Sequence, residues 1–167
     1  IMFEASVGGG IPLIGALRRD LLANRISTIR GIVNGTTNYM LTGMAAQGAA
    51  SAALRNVGLE PVSGGGYHEA LAAAQELGYA ESDPTNDVEG YDAAYKLAIM
   101  ATLGFRTRVR PENIHTEGIT KLTARDFQYA QELGYVIKLL AVAERINGGI
   151  ICRVAPAFIP LAEPMAR

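Results

Sequence analysis

The 167-residue chain has a single cysteine, Cys152, so no intrachain disulfide and no cysteine-based metal site can form. One isolated thiol fits a reducing cytosol and reads as a small buried apolar side chain. Its two histidines, His68 and His115, stand alone without metal-ligand spacing, and both read as surface residues. No apolar run approaches the roughly 20 residues of a membrane span, and the start lacks the charged-then-apolar pattern of a signal peptide. No basic run is longer than "LRRD", and the net charge is −1. That balance excludes the electrostatic footprint of a nucleic-acid or membrane-surface binder. There is also no GxGxxG, because Gly8 and Gly10 are followed by Leu13 where a glycine is needed.

What remains is a chain that is 49% hydrophobic with a slightly positive mean hydropathy of +0.16, enough to bury one core. The periodicities are mixed and predict an α+β domain over residues 1–167. "IPLIGALRRDLLAN" carries a helical apolar stripe with Pro12 in its first turn. "ISTIRGIVNG" is β-branched and runs into Asn34-Gly35, a strand followed by a tight turn. "TTNYMLTGMAAQG" reads as a helix capped by Thr36 or Thr37 and stopped by Gly48, and "EALAAAQELGY" as an alanine-rich helix ending at Gly78. Between them, "GLEPVSGGG" is loop. A further helix spans Val88 to Leu103 and closes at Gly104. Thr123 and Asp126 stand as N-cap and N3 acid of another. The end folds as two strands joined at Asn147-Gly148, with Pro156 and Pro160 suited to a sheet edge.

The chemistry concentrates in "ESDPTNDVEGYDAAYK", where five carboxylates precede Lys96. On a helix from Val88, Glu89, Asp92 and Lys96 share one stripe. An exposed Asp92–Lys96 pair is an ordinary helix contact, but "LAIMATLGF" after the lysine is apolar on nearly every face and argues for a buried helix. A buried lysine needs a partner and suits proton transfer. Asp83 reads as an N-cap ahead of Pro84, whereas Glu81 and Asp87 have no capping role and suggest a site for a cationic group such as an ammonium. Tyr67, Tyr79, Tyr91 and Tyr95 surround this region as core or pocket wall. "EASVGGGIP" places bare backbone ahead of a helix, either as a plain turn or as a ligand contact.

In order along the chain, "FEASVGGGIPLIG", "GIVNGTTNYMLT", "AQELGYAESDPTNDVEGYDAAYKLAI", "TARDFQYAQELGYVIKLLA" and "RVAPAFIPLAEPMA" resemble the catalytic domain of homoserine dehydrogenase. The resemblance spans nearly the whole chain. It implies a mixed β-sheet covered by helices, a homodimer formed through that sheet, and interconversion of L-homoserine and L-aspartate 4-semialdehyde with NAD or NADP in threonine and methionine synthesis. By position it makes Lys96 the catalytic lysine and Glu81, Asp87 and Asp92 the substrate-binding wall. Gly35, Thr36 and Gly78 fall where the family meets the cofactor. Glu4, Val7, Gly9 and Ile11 fall at a monovalent-cation site, sodium for instance, built largely from carbonyl oxygens.

Three departures accompany the resemblance. Tyr95 stands where the family's "DAARK" has arginine, residues Ala49–Tyr67 form an extra segment, and the nucleotide-binding domain is absent. The chain therefore reads as a cytoplasmic enzyme fragment, inactive alone. The alternative is a dimerising or small-molecule-binding module that kept the fold without the chemistry.

Overall fold

A computed structural model describes residues 3–45 and 66–166. Most of the Ala49–Tyr67 segment lies outside them, as does Gly48. Tyr67 itself is the first residue of a helix, so that end of the segment is ordered structure rather than loop.

The elements alternate as the periodicities predict. Helix α1, Leu13–Gly15, passes directly into a π-helical turn at Ala16–Asp20. Strand β1 is Thr28–Gly31 and helix α2 is Gly35–Ala45. Helix α3 spans Tyr67–Glu76, α4 Thr85–Val88 and α5 Tyr91–Phe105. The short strand β2, His115–Thr116, precedes α6 at Ala124–Glu132, and the long strands β3, Tyr135–Ile146, and β4, Gly149–Pro160, complete the fold. The sheet order is β1-β3-β4-β2, with β2 parallel to β4 and the other pairs antiparallel. This is the α+β class read from the sequence.

Local chemistry explains most boundaries. The β3–β4 hairpin turns at Asn147-Gly148, where Gly148 has φ +84°, a conformation open to glycine. Helix α6 has the anticipated capping box. Thr123 donates its backbone N–H to Asp126 Oδ2 at 2.8 Å and its hydroxyl at 2.7 Å. Those bonds hold the Asp126 carboxyl below the usual carboxylate range. Beyond Val154, where β2 pairing stops, no described strand pairs with the outer edge of β4, and Pro156 and Pro160 lie in that stretch.

Four boundaries differ from the sequence reading. The first helix is shorter, because Leu21–Asn24 leave it as turns. The cap of α2 is neither Thr36 nor Thr37 but Asn34, whose Oδ1 accepts the Thr37 N–H at 2.8 Å, so Gly35 opens the helix instead of forming a hairpin-like turn. The helix through Val88–Leu103 is two helices, broken at Glu89-Gly90, with Gly90 at φ +82°. Glu89 therefore leaves the Asp92–Lys96 stripe and its Oε1 accepts a hydrogen bond from Thr120 Oγ1 at 3.1 Å. Finally, Gly104 does not stop α5, which runs to Phe105 and ends with Arg106 at φ 54°. Gly104 is needed for contact, since a Cβ there would sit 2.8 Å from Ile29 Cδ1.

One principal core lies between the helices and one face of the sheet. Met40, Leu41 and Met44 of α2, Leu97, Met100 and Ala101 of α5, and Ile137, Leu139, Ala141 and Val154 of the strands belong to it. The alanines of α5 let that helix approach closely, which is why its apolar character extends so far around its circumference. A smaller cluster of Leu140, Val142 and Ile159 forms separately, with Met165 and Ala166 packed against it. Cys152 is buried as anticipated, and burial pushes its thiol above the usual range. Among the described residues, no helix is long and apolar enough to cross a membrane.

Candidate active site

Strand β1 delivers the chain to Val33 and Asn34 beside the start of α5, and this junction assembles the charged residues. Lys96 Nζ donates to Asp92 Oδ2 at 2.6 Å and to the Val33 carbonyl at 3.1 Å. The Lys96 and Asp92 side chains are 26% and 30% exposed, so the pair is neither a free surface contact nor sealed from a ligand. Asn34, only 5% exposed, lies between the carboxylates. Its Nδ2 donates to Asp87 Oδ1 at 2.6 Å and to Asp92 Oδ2 at 2.8 Å, while its Oδ1 caps α2. Every polar atom of this amide has work in two directions.

These residues line a cavity of about 500 Å³ with Gly35, Thr36, Asn38, Tyr39, Thr42 and Tyr79. With Asp87 and Asp92 ionised and Lys96 protonated, the three charges sum to −1, which favours a cationic ligand group beside a proton donor or acceptor. A larger groove of about 670 Å³ at the β3–β4 turn, lined by Arg25, Arg108 and Arg145 among others, contains none of the predicted site residues. The smaller cavity is the candidate site on its chemistry.

The predicted residues are not all brought together. Asp87, Asp92 and Lys96 converge. Thr36 Oγ1 donates to the Tyr79 carbonyl at 2.7 Å, so Gly35 and Thr36 adjoin the loop that follows Gly78. Gly78 has φ +75°, and open space surrounds the Cβ positions of both Gly35 and Gly78, leaving bare backbone accessible there. Glu81 does not line the cavity. Its side chain is exposed and its backbone carbonyl accepts from Gln75 Nε2 at 3.0 Å. Asp83 is not the N-cap, which is Pro84; one residue ahead of it, Asp83 Oδ1 accepts the Thr85 N–H at 3.1 Å and hydroxyl at 2.6 Å, and these bonds hold its carboxyl below the usual range. Tyr79, Tyr91 and Tyr95 are each about half exposed, and of these Tyr79 lines the cavity and packs its ring 5.0 Å from that of Tyr39.

At the other candidate site, the Glu4 carboxylate accepts the Ile14 N–H at 2.8 Å and the Gly15 N–H at 2.9 Å. It thereby satisfies the start of α1. Val7 is buried, Ile11 is exposed, and Gly8 and Gly9 have φ +80° and +57°. The Ile11 carbonyl already accepts the Leu13 N–H at 2.7 Å.

The sequence reading missed three residues here. Asn34 was legible as a cap three residues ahead of Thr37, but its bridge to Asp87 and Asp92 spans 53 and 58 positions. Lys138 of β3 and Asn38 of α2, joined at 2.8 Å, are 100 positions apart.

A helix-covered mixed sheet with a lysine, two carboxylates and exposed glycine backbone at one cavity defines an α+β domain with a polar, charged pocket. The homoserine dehydrogenase family model matches residues 12–167, and the chain belongs to that family. It is 43% identical over 171 aligned residues to the homoserine dehydrogenase of Corynebacterium glutamicum, an alignment covering 99% of this chain and 35% of that protein. The homoserine dehydrogenase structure from Thiobacillus denitrificans superposes with a TM-score of 0.85 at 46% identity, covering 99% of this chain and 35% of that one. A hyperthermophilic archaeal homoserine dehydrogenase mutant in complex with NADPH superposes with a TM-score of 0.71 at 27% identity, covering 99% of this chain and 42% of that one. The chain thus spans about a third of the length of the curated relatives it matches.

Proposed function

We propose that this chain is the substrate-binding and catalytic portion of a homoserine dehydrogenase that interconverts L-homoserine and L-aspartate 4-semialdehyde, serving threonine and methionine synthesis in the cytoplasm. The observation that carries the reading is Lys96, held by Asp92 and the Val33 carbonyl with its side chain on the cavity wall. Two of its three N–H groups have fixed partners, and the third is available to a ligand oxygen.

In the oxidative direction Lys96, as the free amine, takes the proton of the substrate's hydroxyl while the hydride leaves the same carbon. A bound NAD or NADP would supply the acceptor for that hydride. In the reductive direction Lys96, as the ammonium, gives its proton to the carbonyl oxygen, so charge and protons balance both ways. Asp87 and Asp92 attract the substrate ammonium, and Glu81, exposed beside the cavity-lining loop, joins them once the ligand is bound. The accessible backbone at Gly35 and Gly78, with the Thr36–Tyr79 bond joining the two segments, fits the flank of a dinucleotide. A monovalent cation in the Glu4–Ile11 turn would be held by backbone oxygens of Glu4, Val7, Gly9 and Ile11. The Glu4 carboxylate is already engaged with α1, which leaves its carbonyl as the ligand.

The division of labour is testable. Hydride transfer needs the reacting carbons held about 3–3.5 Å apart, and this chain supplies one side of that arrangement. Purified residues 1–167 should bind no dinucleotide and oxidise no homoserine, while the full-length protein containing them does both. Steady NAD(P)-dependent oxidation by the isolated chain would overturn the division.

The same reading includes a homodimer through the sheet. The Leu140–Val142–Ile159 cluster is itself buried, but on the same face of the sheet Ile151 of β4 is exposed at 49%. Sedimentation velocity at micromolar concentration should show a dimer, and a monomer alone would remove this surface from the assembly.

A further inference from the structure

Lys138 is buried to 4% exposure, yet no carboxylate among the described residues lies within ion-pair distance of it. It projects from β3 ahead of Ala141, where pairing with β1 begins, and α2 packs beside this part of the sheet. Its Nζ donates to Asn38 Oδ1 at 2.8 Å and to Thr42 Oγ1 at 3.2 Å. The Thr42 hydroxyl in turn donates to the Asn38 carbonyl at 2.6 Å. Burial pushes the Lys138 ammonium below its ordinary range. An unpaired buried cation is unfavourable for folding, and neutral partners compensate it only in part.

Two consequences follow for the cavity that Asn38 and Thr42 line. A lysine ammonium can only donate, so it fixes Asn38 Oδ1 as the inward atom and turns the Asn38 amide nitrogen away from itself. No described residue accepts from that nitrogen. Asn34, the cap of α2 at the acidic end of the same cavity, lies four residues earlier, an axial separation of about 6 Å. The cavity therefore has carboxylates at one end and, at the other, an amide donor backed by a buried positive charge.

We propose that Lys138 is a positioning residue for substrate recognition: through Asn38 it prepares a donor site for the carboxylate of the amino-acid substrate, opposite the acidic wall that takes the ammonium. The inference rests on the homoserine dehydrogenase reading and adds to it the group that selects an α-amino acid over a simple amino alcohol. A carboxylate at the Asn38 amide would also supply the negative charge that Lys138 lacks.

The test uses the full-length protein, with L-homoserine and its neutral carboxamide as paired substrates. Lys138→Met keeps the length of the side chain and removes its charge. It should raise KM for homoserine about tenfold or more, the scale of a lost charge-assisted bond, with kcat within about threefold. It should also shrink the wild-type preference for homoserine over the carboxamide to within about threefold, a change that a loss of stability alone would not produce. Asn38→Asp keeps an acceptor for Lys138 but turns an oxygen toward the ligand. It should raise KM for homoserine more than for the carboxamide, and it decides the matter if Lys138→Met fails to fold. Unchanged discrimination in the variants, or a KM increase confined to the dinucleotide, would overturn the inference alone. A wild-type protein that does not oxidise homoserine would overturn the functional reading and this inference together.

Discussion

Replacing Lys96 with alanine in the full-length protein should lower kcat by about 10²–10⁴, the usual contribution of a positioned general acid–base, while KM for homoserine changes only several-fold. The split follows from where the lysine sits. Its bonds to Asp92 and Val33 orient one remaining N–H group, and the loss of that group removes a proton transfer made only in the transition state. Asp92 retains its bond from Asn34, so the acidic wall proposed for the ammonium stays in place. Lys96→Arg is the informative companion. It keeps the positive charge beside Asp92, but a guanidinium does not deprotonate in a protein and cannot serve as the base. It should therefore be as stable as the wild type and nearly as inactive as the alanine variant. Turnover near the wild-type value in either variant would remove Lys96 from the chemistry and leave it a helix ion pair.

Features encoded within a few residues were legible. The Thr123–Asp126 capping box, the Asn147-Gly148 turn and the Asp92–Lys96 pair each follow from spacing, and each has the anticipated geometry. The break at Glu89-Gly90 was also within reach, since a glycine inside an apolar helical pattern weakens it. What decides the break is tertiary. A Cβ on Gly90 would stand 3.2 Å from Thr116 Cγ2 and 3.3 Å from Val154 Cγ1, and a Cβ on Gly118 only 2.5 Å from Glu89 Cα. The chain bends there because α4 and α5 are pressed against the β2–β4 end of the sheet. Asn34 and Lys138 were hidden for a related reason. An asparagine before a glycine reads as a turn, and a lysine within "YVIKLLA" reads as a solvated position on a strand. Their roles arise only when β1, α2, α5 and β3 are packed together.

The second large effect belongs to Asn34. Asn34→Asp preserves an oxygen to cap α2 but deletes the amide that donates to Asp87 and Asp92, and it sets a third carboxylate between them. Hydrogen bonds to charged groups contribute about 1.5–3 kcal/mol each, and two are lost here. The isolated domain should lose about 3 kcal/mol or more of stability, a fall in Tm of roughly 6–12 °C for a chain of this size. The pH dependence has a definite sign. The carboxyl introduced at position 34 sits between two like charges, which raise its folded-state pKa above its unfolded value. The variant's deficit is then full above the folded-state pKa and is relieved as pH falls and one carboxyl takes up a proton. Asn34→Ser separates the two duties of the residue: serine still caps α2 but cannot bridge both aspartates. If the bridge matters as argued, the serine variant of the full-length protein should show a clear rise in KM for homoserine with α2 intact, because Asp87 and Asp92 no longer hold their spacing. Stability and KM at wild-type values in both variants would mean that the two carboxylates keep their places without Asn34, and that this amide is only a helix cap.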